Sequence, residues 1–228
     1  MDSSNFIKKN IDNIKLNILS LNKNIKIIGV TKNVLVSDIE TAIKYGITDI
    51  GENKVQEALP KIEILKKKYE NIKFHFIGHL QTNKVNKIVG KVDLIQSVDS
   101  LKLAEKISTT AQILNIIQNI LLELKVSEEE TKYGIAVDNI LKEYEAILKL
   151  NNIKVKGIMT MAPYFEEPEM ARPYFKKAKQ IFDEIKKVYN NPEFEILSMG
   201  MTDDYKVAVE EGANMIRIGT GIFGKRSL

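Results

Sequence analysis

The stretch IKIIGVTKNV, residues 25–34, decides how the chain folds. Ile27, Ile28 and Val30 surround a single glycine and read as a strand buried on both faces, since a strand covered by helices has no wet side to alternate with. The apolar run stops at Thr31, and the next residue is a lysine, Lys32. An ammonium group placed where a buried strand ends needs a physical reason.

The same rhythm repeats outward along the chain. Strand-like runs fall at 26–31, 47–52, 73–78, 93–98, 120–126, 154–160, 194–199 and 214–219. Between them, apolar residues recur at three- and four-residue spacing, as in SDIETAIKYG (37–46) and SLKLAEKISTTAQIL (100–114). Ser37-Asp38 and Asp99-Ser100 occupy expected N-cap positions, and Gly46 and Gly212 stand where a helix ends on a left-handed residue. Eight strand–helix units in 228 residues predict a single α/β (β/α)8 TIM barrel, with an open doubly wound sheet as the alternative. Residues 1–24 read as an extra amphipathic helix packed on the barrel. No Pro/Gly/Ser linker divides the chain, so one domain over 1–228 is expected. The longest irregular stretch, MAPYFEEPEMARP (161–173), has the size of a lid or binding loop.

Composition excludes several classes. With 44% apolar and 28% charged residues the chain suits a packed globular core. No apolar run is long enough to span a bilayer, and the N-terminus lacks a secretory-signal pattern, so no membrane partner is expected and a cytoplasmic location is. Cysteine is absent, which removes disulfides and thiolate metal sites. The net charge of +4 is spread over helical lysines and forms no basic stripe with interleaved aromatics, so nucleic acid is not an expected partner. Arginine occurs only at 172, 217 and 226, so each one asks what a fork-shaped donor does there.

In such a barrel the working face lies at the C-terminal ends of the strands. Lys32 admits two readings there. It is a rim lysine with its head in water, or it is an amine partly desolvated by the strand end, with a lowered pKa, that captures a carbonyl as a Schiff base. The last two strand ends, LSMGMTDDY (197–205) and RIGTGIFG (217–224), each pair a hydroxyl with glycines at a helix start, a combination suited to a phosphate or to a mere turn. Arg217 interrupts the apolar run MIRIG. Ile216 and Ile218 alternate with it, so it is expected to point into the barrel, either to pair with a carboxylate such as Glu52 or to donate to a ligand. His75 and His79 lack converging ligands for a metal; His75 is expected to be structural and His79 to stand at the mouth. Met159, Met161, Met199, Met201 and Met215 gather near the last three strand ends, where core filling accounts for them individually.

Taken together, GVTK, GENKVQE, FHFIGHLQTNK, SVDS, GIMTMAPY, ARPYF, LSMGMTDD and IRIGTGIFG resemble the YggS/PROSC family of pyridoxal-phosphate homeostasis proteins, in the family's order and over nearly the whole chain. The family's fold is that of the N-terminal domain of alanine racemase. The resemblance implies pyridoxal 5′-phosphate held as a Schiff base on Lys32. Ser198 and the backbone of Gly219 and Thr220 would hold the phosphate, Arg217 would meet the pyridine nitrogen, and Asn53 would lie by the ring. Thr202 keeps a hydroxyl at the family's Ser/Thr position after SMGM, and Lys132 matches a family lysine in the loop after strand five.

An arginine on the ring nitrogen keeps that nitrogen unprotonated and weakens the ring as an electron sink. No β-rich second domain like that of racemases is expected after the last strand. The expected function is therefore a monomer that buffers or delivers the cofactor, to recipient enzymes among others, without strong catalysis. A pyridoxal-phosphate racemase or related enzyme is the alternative, and a Schiff-base aldolase a lesser one.

Overall fold

The structure is a computed structural model that describes residues 3–21, 24–127 and 133–225. Every expected strand forms: β1 (Lys26–Val30), β2 (Asp49–Glu52), β3 (Lys73–Phe76), β4 (Leu94–Val98), β5 (Gln118–Lys125), β7 (Ile153–Thr160), β8 (Ile196–Ser198) and β9 (Met215–Ile218). One strand was not foreseen, the two-residue β6 (Ile135–Ala136), which pairs with β5 alone. The sheet order is β4-β3-β2-β1-β9-β8-β7-β5-β6, and β4 also pairs with β5, so eight parallel strands close into a barrel with β6 outside the ring. The open-sheet alternative is thereby excluded.

Closure explains why the strands read as continuous apolar runs. Outward residues such as Ile50, Ile95, Ile216 and Ile218 join the large core between strands and helices. Inward residues Ile28, Leu94, Leu121, Met159 and Met215 form a second, small apolar cluster inside the barrel. The rest of the interior is polar, and the site is built there.

The helices differ from expectation mainly at their starts. Ser100 caps α5 (Leu101–Ile113) as its hydroxyl accepts from Leu103 N at 3.3 Å. Helix α2 (Val36–Lys44) instead begins one residue before Ser37, with Leu35 at its N-cap and no side-chain cap. Asp38 falls inside the first turn, where its carboxylate suits the helix dipole and accepts from Ser3 Oγ at 2.8 Å. Gly46 and Gly212 do take positive φ, 91° and 104°.

Helix α1 (Ser3–Ser20) buries Ile7, Ile11, Ile14 and Ile18 on one face. It packs on α2, α8 (Tyr205–Glu210) and α9 (Thr220–Phe223). Asn10 Nδ2 donates to the Ile222 carbonyl at 3.0 Å, and Asn17 Nδ2 to Tyr205 Oη at 2.9 Å. The added helix thus buttresses the two loops expected to hold an anion. The 161–173 stretch is shorter as a loop than it looked. A 3-10 turn covers Pro168–Ala171, and α7 (Arg172–Tyr189) begins at Arg172. The Arg172 guanidinium meets Glu169 at 2.7 Å and Glu210 and Glu211 at 2.6 Å, clamping the turn to α8.

Candidate functional site at the C-terminal mouth

Lys32 follows Thr31, the fully buried residue directly after β1. The chain turns out at once, with Asn33 at φ 55°, and Lys32 is exposed. Lys32 takes the exposed rim position, because the buried run ends one residue earlier. What the structure does supply is a brace behind the turn. Lys61, on α3 (Val55–Lys66), donates to the Thr31 carbonyl at 2.6 Å and to Glu52 Oε1 at 2.7 Å. Thr31 Oγ1 donates to the same carboxylate oxygen, and Glu57 Oε2 accepts from Asn33 N at 2.8 Å. Glu52 therefore points outward to a helix lysine, and the anticipated Arg217–Glu52 pair does not form.

Asn53 follows β2 and is partly buried, with its Oδ1 buried and without a hydrogen-bond partner. Its position is set by Gly78, whose Cα packs on the Asn53 backbone, and Gly78 in turn accepts from Ser97 Oγ at 2.5 Å. A buried carbonyl oxygen with nothing donating to it is an acceptor held ready for a ligand donor.

Arg217 points into the barrel as the alternation predicts and is 4% exposed. Nη1 donates to Ser198 Oγ at 2.7 Å and Nη2 to the Thr160 carbonyl at 2.8 Å. Both acceptors are neutral. Burial brings the guanidinium pKa down to about 10, against the through-space pull of Asp204 and Glu123. Glu123 shares the interior, since its neighbours Leu122 and Leu124 belong to the outer core. Burial first, and then the nearby negative charge of Asp99, push its carboxyl up to about 7, with Arg217 pulling the other way. Alternation along β5 places Glu123 inside, and no motif in the sequence marks it.

The loops after β8 and β9 touch each other. Gly221 N donates to Thr202 Oγ1 at 3.0 Å, and a β-carbon at Gly221 would lie 2.9 Å from Ile218 and 3.1 Å from Thr202, so glycine is what permits the contact. Gly219 is the N-cap of the short turn α9, which opens on Thr220. Thr202 accepts from the backbone and keeps its own proton for a further acceptor. Ser198, the hydroxyl expected at the phosphate, lies deeper than Thr202. It ends β8, is fully buried, and its one proton goes to Gln96 Oε1 at 2.7 Å. Its hydroxyl is committed to Arg217 and Gln96, leaving Thr202 as the side chain that faces the turn of Gly219 and Thr220.

Around the mouth, His79 stacks on Tyr133 with ring centroids 3.6 Å apart, and its Nδ1 lies 3.3 Å from Asp99 Oδ2. His75 is buried inside the barrel against Asp49 and Gln96. Met159, Met199 and Met215 are buried, whereas Met161 and Met201 are exposed. Lys132 lies outside the described residues. Among the described residues no cluster of His, Cys, Asp and Glu could hold a metal, and no helix is long and apolar enough to cross a membrane.

Fold and mouth together define a small parallel barrel with a buried guanidinium, an exposed lysine and two touching glycine-containing loops at one end. The family model for the N-terminal domain of alanine racemase matches residues 5–227. A pyridoxal phosphate homeostasis protein from Aquifex aeolicus is 46% identical over 201 residues, 88% of this chain and 87% of the relative. PipY of Synechococcus elongatus PCC7942, solved with PLP bound, is 30% identical at a TM-score of 0.84, covering 96% of this chain and all of that one. Alanine racemase of Clostridium difficile 630 shares the fold at 18% identity and a TM-score of 0.80, and this chain covers 58% of its length. The chain belongs to the alanine racemase N-terminal-domain family, in the branch of the pyridoxal phosphate homeostasis proteins.

Proposed function

We propose that the protein binds pyridoxal 5′-phosphate at the C-terminal mouth, covalently through Lys32, and holds or hands on the cofactor without strong turnover. The observation that carries this is Arg217. Two of the five donors of its buried guanidinium are spent on neutral oxygens, and its acidic neighbours act only through space. A ring nitrogen is an acceptor that such a cation would complete. The other groups fit the same ligand. Asn53 Oδ1 offers an unused buried acceptor beside the ring, the Thr202 hydroxyl next to the Gly219–Thr220 turn suits a phosphate, and Lys32 is accessible at the rim.

When bound, the cofactor supplies an aldehyde carbon that an amine captures and a ring that withdraws electrons. The chain's own residues bind and orient. Thr31, Glu52 and Lys61 fix the turn that carries Lys32, so its amine is presented from a rigid strand end. Arg217 would donate a hydrogen bond to the ring nitrogen and keep its own proton, which would leave that nitrogen unprotonated and disfavour carbanion chemistry. Ser198 and the Thr160 carbonyl hold that guanidinium in place. Thr202 would donate its hydroxyl proton to the phosphate. The names of the relatives support a role in cofactor supply, and we place the protein in the cytoplasm as a monomer that delivers to recipient enzymes.

Titration of the purified protein with pyridoxal phosphate, followed by absorbance, tests the reading. A saturable visible band at one equivalent, with no interconversion of D- and L-alanine, is expected. Appreciable racemization by the loaded protein contradicts the holding role, and absence of the band contradicts binding.

A further inference from the structure

Arg217 stands at one end of a line of hydrogen bonds that crosses the inside of the barrel. Arg217 Nη1 donates to Ser198 Oγ at 2.7 Å, and Ser198 Oγ donates to Gln96 Oε1 at 2.7 Å. Gln96 Nε2 meets His75 Nδ1 at 3.0 Å and Met215 Sδ at 3.3 Å, and His75 Nε2 meets Asp49 Oδ1 at 2.9 Å. Lys26 Nζ lies 3.4 Å from the same Asp49 oxygen. Every side chain from Asp49 to Arg217 is buried. Lys26, Asp49 and His75 border a cavity of about 1110 Å³ at the N-terminal ends of the strands, so the line runs from one end of the barrel to the other.

Its polarity is forced from the Arg217 end. A guanidinium has donors and no acceptor, so Ser198 Oγ must accept from it. The single serine proton then needs an acceptor, and the Gln96 atom that faces it is the amide oxygen. The amide nitrogen consequently faces His75. Its Nδ1 must be bare to accept, and the ring proton lies on Nε2 against Asp49. With Ser198 accepting from Arg217 and its proton on Gln96 Oε1, the amide nitrogen is left for His75 and Met215.

We propose that Gln96 is a positioning residue for the cofactor site. By taking the Ser198 proton it turns the serine lone pair toward Arg217, and by donating to Nδ1 it holds His75 as the Nε2–H tautomer. The guanidinium is thereby fixed at two points, Ser198 and the Thr160 carbonyl, and without the first it swings about the second. The positioning role rests on the reading of Arg217 as the donor to the ring nitrogen.

Nitrogen-15 NMR of the cofactor-free protein reads the relay without any cofactor. The wild type is expected to show His75 with a bare Nδ1 and a protonated Nε2. Gln96→Glu keeps an oxygen for Ser198 but turns a second oxygen to His75, whose other neighbours are Asp49, Lys26 beyond it, and Met215. It is expected to carry protons on both ring nitrogens while binding pyridoxal phosphate within about threefold of wild type. Gln96→Met removes the acceptor, and it is expected to bind about tenfold more weakly with a shifted visible band, at an unchanged far-ultraviolet spectrum. A protonated Nδ1 in the wild type overturns the proposal, as does a folded Gln96→Met protein with wild-type affinity and band. Absence of pyridoxal phosphate binding by the wild type overturns the functional reading alone, and the His75 spectrum still decides the orientation of Gln96.

Discussion

Gly78 packs so tightly on Asn53 that a β-carbon built on the glycine would lie 2.2 Å from the Asn53 carbonyl oxygen. Two consecutive strand ends are thus locked backbone to backbone, and the lock holds the asparagine that offers an unused acceptor to the mouth. Gly78→Ala has to push them apart. The expected cost is about 3 kcal/mol in urea unfolding, together with weakened cofactor binding. A loss under about 0.5 kcal/mol would show that the strand ends separate freely.

The division of labour between the two hydroxyls of the LSMGMT loop gives a second prediction. Thr202 faces Gly221, and Ser198 faces Arg217. Thr202→Val should weaken pyridoxal phosphate binding by about tenfold and leave the affinity for phosphate-free pyridoxal nearly unchanged. Ser198→Ala should weaken both ligands alike. Equal losses for both ligands in Thr202→Val would remove this threonine from the phosphate site.

Glu123 makes stability depend on pH. Its carboxyl is lifted from 4.5 to about 7 in the folded protein, by burial first and by Asp99 second. In acid below its unfolded value the group is protonated in both states and costs nothing. Between the two values the unfolded chain loses the proton first, so stability falls as pH rises toward and through 7. Glu123→Gln removes this slope and should gain about 1–3 kcal/mol over wild type at pH 8, with little difference near pH 4. Identical pH profiles for the two proteins would contradict the assignment.

Much of this was legible in the sequence, and the reasons are specific. Strands buried on both faces leave unbroken apolar runs, so all eight barrel strands could be marked to within about two residues. Parity placed Arg217 inside, because Ile216 and Ile218 had to face the helices. The same parity would have turned Glu52 outward to Lys61 and set Ser198 beside Arg217, but two hydroxyls in one loop and a lysine on a distant helix turn are not ranked by composition. Exposure of Lys32 depends on where the buried part of β1 stops, a one-residue matter that periodicity does not resolve. Alternation places Gln96 and Glu123 inside as well, but their partners come from other strands and are set only when the barrel closes.

The central claim is that Lys32, alone among the many lysines, carries the cofactor. Borohydride reduction of the loaded protein followed by peptide mass mapping tests it most directly. One pyridoxyl-phosphate addition on the peptide containing Lys32, lost in Lys32→Ala, is the predicted result. A modification centred on any other lysine, or an undiminished visible band in Lys32→Ala, would contradict it.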